Sequence, residues 1–347
     1  MDFQPTQEQR DLRAGVRELL ARRYGREALR AAVDAPAGSG TGGGTAAAAV
    51  DRELWRELGE AGFFALRLPE ADGGVGLGLA ETVLVFEEAG RALLPGPLVA
   101  THLAAGTVPG AALGTAVVTA FDLVGAGGEG VGGAAVTGGA LVAHLGEADA
   151  VLGSAVPPAA LLRRGEPVRS ADPLTPLHRV PAPAPAPVPA PADGAAAGRP
   201  DGRAAAFRDV GALLTAALQL GSALRTLELA VRHAKEREQF GQPIGAFQAV
   251  KHLCAGMLVR AELARTAVYA AAVTADPAEI AGAKVLADET AVGNARDCLQ
   301  VYGGMGFTWE ADVHLHLKRA WLRAQQWRTA DEAEGLLADD LLATATP

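Results

Sequence analysis

The chain has 347 residues, 49% of them apolar, only 5% aromatic, and a formal net charge of −9 at pH 7. That length buries a large core in two or three domains, and the acidic balance argues against a nucleic-acid partner or an anionic membrane. Two cysteines, Cys254 and Cys298, suit neither a disulfide framework nor a zinc site and fit a reducing cytoplasm; Met1-Asp2-Phe3 opens no signal peptide, and no apolar run of about 18 residues escapes Gly, Pro or charge, so no membrane span is expected.

Thr6 and Gln9 form a capping-box pattern, which predicts a helix with Leu12, Val16, Leu19 and Leu20 inward. The Gly-, Ser- and Ala-rich stretch from Ala35 to Ala49 predicts a mobile loop. A helix resumes near Asp51, with Leu54, Trp55 and Leu58 on one face, and another covers about Ala80 to Leu93. The second carries Glu87 and Glu88. Adjacent helical residues do not share a face, so one is expected in solvent and the other on Arg91, without an acid–base role. From about Thr107 to Pro200 the pattern changes to short strands between Gly-rich turns, at Ala116–Val124, Ala140–Leu145 and Ala150–Leu152. Gly125 to Gly130 matches GxGxxG after a strand. A dinucleotide turn needs a helix next, and Val131 to Gly139 will not hold one, so the motif reads as a hairpin or loop. Pro181 to Ala192 alternates Pro with Ala or Val and predicts an extended spacer, with Asp193 to Asp201 a flexible continuation.

The last part is helical. Leu213, Ala217, Leu220, Leu224, Leu227, Val231 and Ala234 make one stripe, and Val250, Cys254, Met257, Ala261, Ala264 and Val268 make the next. Between them Gly241 and Pro243 stop the first helix. Arg237 and Phe240, three apart, are expected on neighbouring helical positions at its exposed end, where an Arg can fork onto a phosphate and a Phe can cover a ring. A solvated charge cluster is the plainer reading of the same residues. A third helix spans about Pro277 to Leu299, with Asp288, Glu289 and Asp297 expected in solvent. Gly303, Gly304 and Gly306 either end that helix or let a ligand approach bare backbone. Helices at Asp312–Trp327 and Asp331–Leu342 close the chain. His314 and His316 fall on different sides of a helix, which is wrong for a shared metal, so they are expected at the surface or an interface.

The block from Arg237 through Gln239, Phe240, Pro243 and Ile244 to Phe247 and Gln248 resembles the start of the C-terminal helical domain of acyl-CoA dehydrogenases. Gln300 to Phe307 resembles that family's QxxGGxGF segment, and Trp55 to Gly74 and Phe86 to Leu98 resemble its N-terminal helical domain. The resemblance covers the outer thirds of the chain well and the middle poorly. It implies an α+β, mainly α fold. A helical N-terminal domain would cover 1–106, a reduced β middle domain with a Pro/Ala-rich linker 107–200, and a C-terminal four-helix bundle 201–347. The nearest kind is the bacterial, heteromeric, short-chain-length member. Such proteins use FAD to remove hydrogen from Cα and Cβ of an acyl thioester, here carried on coenzyme A or a carrier protein.

The resemblance also implies roles. Arg237 would hold the flavin pyrophosphate of a neighbouring subunit, with Gln239, Phe240, Phe247 and Gln248 around it and Gln300, Gly303 and Gly304 giving further contacts. The family's base is a Glu at one of two places. Counted without gaps, these fall on Trp327 and Gly211, neither of which takes a proton. Glu310 and Asp209 are the remaining acids to consider; for Glu310 an ion pair with Lys318, Arg319 or a neighbouring chain is the expected role. A Thr-Glu-Pro-x-x-Gly-Ser-like loop and a Trp-Ile-Thr strand, which hold a chain's own flavin, are missing. The expectation is therefore a subunit without the base, paired with a homologous acyl-CoA dehydrogenase-like subunit across a bundle interface containing Gly221, Ala261 and Ala264. The alternatives are a flavin-free scaffold and a flavoprotein with another base and reaction.

Overall fold

A computed structural model describes residues 5–35, 50–123, 139–181 and 200–345, the last stretch with side chains over 206–344. The N-terminal layer holds α1 (Gln7–Arg23), α2 (Arg26–Asp34), α3 (Arg52–Glu60), α4 (Leu79–Arg91) and α5 (Leu98–Ala104). The expected box starts α1: the Gln9 amide donates to Thr6 Oγ1 at 3.2 Å and the Thr6 amide to Gln9 Oε1 at 2.9 Å. Trp55, Phe63, Phe64 and Phe86 form the aromatic heart of this layer, with Leu58 buried in the same core.

The middle region is small. β1 (Val118–Ala120) pairs parallel with β3 (Ala150–Leu152), and β2 (Ala140–Ala143), β5 (Leu177–Val180) and β4 (Glu166–Val168) form an antiparallel sheet in the order β2-β5-β4; a short α6 spans Pro158–Leu162. The expected GxGxxG turn and nearly all of the expected loop and spacer lie outside the described residues, although helix already begins at Pro200.

The C-terminal bundle is built from α7 (Pro200–Glu236), α8 (Gln248–Thr274) and α9 (Pro277–Tyr302), with α10 (Val313–Arg323) and α11 (Ala330–Ala345) packed on α9. Asp276 caps α9 and Pro277 starts it, the residue types a helix N-terminus favours. The stretch Ala206–Glu236 is long and apolar enough to cross a membrane, but its apolar part is mostly buried inside this chain. It is the core helix of the bundle.

Three expectations need correction. Gly221, Ala261 and Ala264 are not at an interface between chains. The two alanines are fully buried in the chain's own core. A Cβ on Gly221 would overlap Glu87 O, and one on Gly90 would overlap Leu218 O, so these glycines let α7 and α4 touch backbone to backbone. Glu87 and Glu88 are both buried, because α4 is enclosed on every side. Glu88 accepts from Arg13 Nε at 2.8 Å and from Arg17 Nε and Nη2, and it keeps the expected ion pair with Arg91 at 3.9 Å, while Glu87 accepts from Tyr269 Oη at 2.7 Å and from Arg13. Burial pushes both carboxyls up; the Arg17 and Arg13 bonds outweigh it only at Glu88, which ends below its usual range. The pair joins α1, α4 and α8 and has no acid–base geometry. The acids of α9 also differ from expectation: Glu289 is exposed, but Asp288 is buried against Lys284 and Gln219, and Asp297 is half-buried against Arg260.

Candidate functional site

The residues singled out in the two motif blocks come together at one end of the bundle. α7 stops at Glu236, earlier than Gly241 and Pro243 would suggest. Arg237 and Phe240 are consequently not helical neighbours. Glu238–Gln239 (β6) and Gln242–Pro243 (β7) form a two-residue hairpin whose turn is Phe240-Gly241. Both turn residues have positive φ, 55° and 77°, as a type I′ turn requires. Glycine does this freely. A bulky Phe does not, and Phe240 is 92% exposed in spite of it. A strained aromatic held out in water is a sign of a surface kept for contact. Phe247 meets its edge, with centroids 6.1 Å apart.

The second block lies beside the first. Tyr302 at the end of α9 stacks on His233 of α7 at 4.0 Å, and Ile244, Val250 and Leu253 pack against the cluster formed by Ala234, Leu299 and Val301. Gln300, Gly303, Gly304, Arg237 and Gln248 are exposed around this contact, together with Met305 and Phe307, the latter at 73%. Among the described residues the Arg237 guanidinium has no carboxylate partner. Gly303, at φ 60° and ψ −145°, occupies backbone space that essentially only glycine uses. Gly304 has no such need: a Cβ there would meet nothing within 4 Å. Bare backbone, unpaired donors and exposed rings on one face suit a ligand or a neighbour that comes from outside the chain.

Gly211 and Trp327, the two positions on which the family's base is expected to fall, are in contact with each other. A Cβ on Gly211 would overlap the indole of Trp327. Trp327 is buried at 7% exposure and has φ 62°. Its amide donates to Asp122 O at 2.6 Å, and its carbonyl accepts from Arg208 Nη2 at 3.1 Å. Gln326 Nε2 reaches Asp122 Oδ2 at 2.9 Å, which ties this corner to the end of the first strand region. The adjoining cavity, lined by Trp327, Asp122, Thr119, Arg319 and Arg323, measures about 40 Å³. Asp209, two residues before Gly211 on α7, accepts from Arg328 at 2.6 Å. Glu310 is exposed, and among the described residues it makes no ion pair; its backbone carbonyl accepts from Arg26 at 3.1 Å. Arg319 is instead paired with Asp172, and Lys318 sits 4.8 Å over the Trp309 ring.

His314 and His316 are buried, against expectation, because α10 is covered on both sides. His316 Nδ1 is 2.7 Å from Ser222 Oγ, and burial lowers its pKa to about 3, with nearby arginines adding to the shift. His314 stacks on Trp309. Among the described residues no group of His, Cys, Asp and Glu could hold a metal. What sequence reasoning missed is the buried charge of α10: Arg319 and Arg323, four apart in VHLHLKRAWLR, share a face with Leu315, a signal that both point inward.

Helical layers on both sides of a small β region, with a glycine-bearing face at the bundle end, define a class, and the comparisons agree with it. The N-terminal domain of acyl-CoA dehydrogenases matches residues 6–120 and the C-terminal domain of the same family matches 203–331. The chain belongs to the acyl-CoA dehydrogenase family of oxidoreductases. It is 36% identical over 329 residues to the acyl-CoA dehydrogenase IpdE2 of Mycobacterium tuberculosis, covering 92% of this chain and 93% of that one. Among solved structures it is similar to the steroid ACAD Tcur3481-Tcur3483, with TM-score 0.76, 26% identity and coverage of 98% and 99%. The ChsE4-ChsE5 complex of Mycobacterium tuberculosis shares the fold, with TM-score 0.75, 24% identity and full coverage of both chains.

FAD is the family's cofactor, and the two regions fit it differently. The bundle-end face is open, carries an uncommitted guanidinium and exposes glycine backbone, as a dinucleotide needs. The corner at Trp327 does not fit. Its cavity of about 40 Å³ is far below the several hundred Å³ of a ligand pocket.

Proposed function

We propose that this chain is the subunit without the base in a two-chain acyl-CoA dehydrogenase. It lends its bundle-end face to FAD seated mainly on a homologous partner, and the partner contributes the β domain and the catalytic carboxylate. One observation carries the reading: Gly211 and Trp327, at the two places where a base could stand, fill each other's space. FAD, when bound, supplies the acceptor for hydride from Cβ of an acyl thioester. Everything else this chain does is binding. Arg237 would pair with the pyrophosphate, Phe240 and Phe247 would cover a ring, and Gln239, Gln248 and Gln300 would offer amides. Gly303 and Gly304 would let backbone approach the cofactor.

The paired names of the Tcur3481-Tcur3483 and ChsE4-ChsE5 structures support a paired chain here. Leu258, Val259 and Leu263 on the outer side of α8 are exposed and apolar, which suits contact with a second bundle. The thioester carrier is coenzyme A or a carrier protein, and the free Cys254 and Cys298 suit a reducing cytoplasm. The test is co-expression with a homologue that has a Glu at the base position, followed by an acyl-CoA oxidation assay with an artificial electron acceptor. The pair should turn over and the lone chain should not. Loss of activity in the pair when the partner's Glu is changed to Gln, with none lost when this chain's Glu310 or Asp209 is changed, assigns the base to the partner. Loss of activity on Glu310→Gln would return the base to this chain.

A further inference from the structure

The interior beneath Trp327 is rich in charge, and nearly every buried cation there has its own carboxylate. Lys284 pairs with Asp288, Arg319 with Asp172 and Arg328 with Asp209. Arg323 is the exception. It is 3% exposed, and among the described residues its guanidinium is in no ion pair; its one hydrogen bond is from Nη1 to Leu218 O at 3.2 Å. Arg319, one turn earlier, is 5% exposed, and its Nη2 is buried without a partner. Both arginines line the cavity of about 40 Å³. Among the described residues, two guanidinium groups against the single carboxylate of Asp172 leave one positive charge uncompensated at a buried site, a strongly unfavourable arrangement unless something neutralises it.

Asp122 does not do so. It lines the same cavity, but its side-chain bond is to Gln326, and among the described residues its Oδ1 has no partner and its carboxyl is in no ion pair. Water would satisfy hydrogen bonds but not charge. The volume admits an ion and a water or two, since each water takes roughly 10–15 Å³ by this measure. It is too small for a phosphate ester, a thioester or a flavin.

We propose that Arg319 and Arg323 hold a small monovalent anion of halide size in this cavity, as a structural counter-ion. The site stands independently of the proposed function, because it needs neither flavin nor partner. It also gives the filled corner a purpose: the anion would neutralise the charge that α10 brings under Trp327.

The test is thermal unfolding of the purified chain in chloride against gluconate at constant ionic strength. Above its dissociation constant each tenfold rise in chloride should raise Tm by about 2 °C, the linkage expected of one bound ion in a chain of this size. Arg323→Met should abolish that dependence and be at least as stable as the parent in gluconate, since it removes the uncompensated charge. Crystals grown in bromide should show one anomalous peak between the two guanidinium groups, a readout that does not depend on the variant folding. Equal Tm in chloride and gluconate, a chloride effect that persists in Arg323→Met, or a cavity containing water alone in bromide crystals would each overturn the proposal.

Discussion

The bundle-end face and the Trp327 corner are opposite solutions to the use of glycine and aromatic residues. At the face, Gly304 is bare with nothing among the described residues to demand it, and Phe240 is exposed in a backbone conformation that Phe disfavours. At the corner, Gly211 is bare because an indole fills the space, and that aromatic is buried. The first region is organised for something outside the chain, the second for the chain itself. A subunit that contributes half of a site would show this contrast.

The largest expected effect is at the corner. Trp327→Ala should cost about 3–5 kcal/mol in chemical unfolding, because the indole packs directly on Gly211 and its removal leaves a cavity. A variant as stable as the parent would mean that the corner is loosely filled and the contrast overstated. The same region should set a pH dependence. Burial raises the Asp122 carboxyl to about 7. Between about pH 4 and 7 the folded chain keeps a proton that the unfolded chain has lost, so this group's contribution to stability falls as pH rises through that window. Stability profiles of the parent and Asp122→Asn should therefore diverge by about 2–4 kcal/mol across it, with the variant relatively more stable at neutral pH. Parallel profiles would show that the carboxyl is solvated.

Effects at the face are smaller and of a different kind. Arg237→Ala should leave the melting transition unchanged while weakening flavin binding in the assembled pair by about 10- to 100-fold, the worth of a charged hydrogen bond. Fluorescence titration with FAD measures it, and unchanged affinity would remove Arg237 from the site. Phe240→Asn should leave stability equal or raise it by up to about 1 kcal/mol, because Asn tolerates positive φ better than Phe. It should still weaken flavin binding a few-fold. Loss of stability instead would make Phe240 a structural residue.

The helices were legible in the sequence because their signals are local. The Thr6–Gln9 box, the α7 stripe and the Asp276-Pro277 start all carry their own chemistry. The two glycine-bearing blocks were legible through family resemblance. What stayed hidden depended on enclosure. Glu87, Glu88, Asp288, His314 and His316 are types that usually face water, and nothing within a few residues of each says that the helix is covered all round. The hairpin at Phe240 was missed because Arg237 to Phe240 contains no residue that breaks a helix before Gly241, and the positive φ at Phe240 is not written in its side chain. The contact between Gly211 and Trp327 spans more than a hundred positions of chain, beyond the reach of any spacing rule.

The central claim is that this chain holds half of a flavin site and none of the base. Flavin content measured by absorbance, for the chain purified alone and for the chain co-purified with its homologous partner, tests it most directly. The account predicts essentially no flavin on the lone chain and one flavin per pair in the complex. A homo-oligomer of this chain with one flavin per subunit that oxidises an acyl-CoA would contradict it.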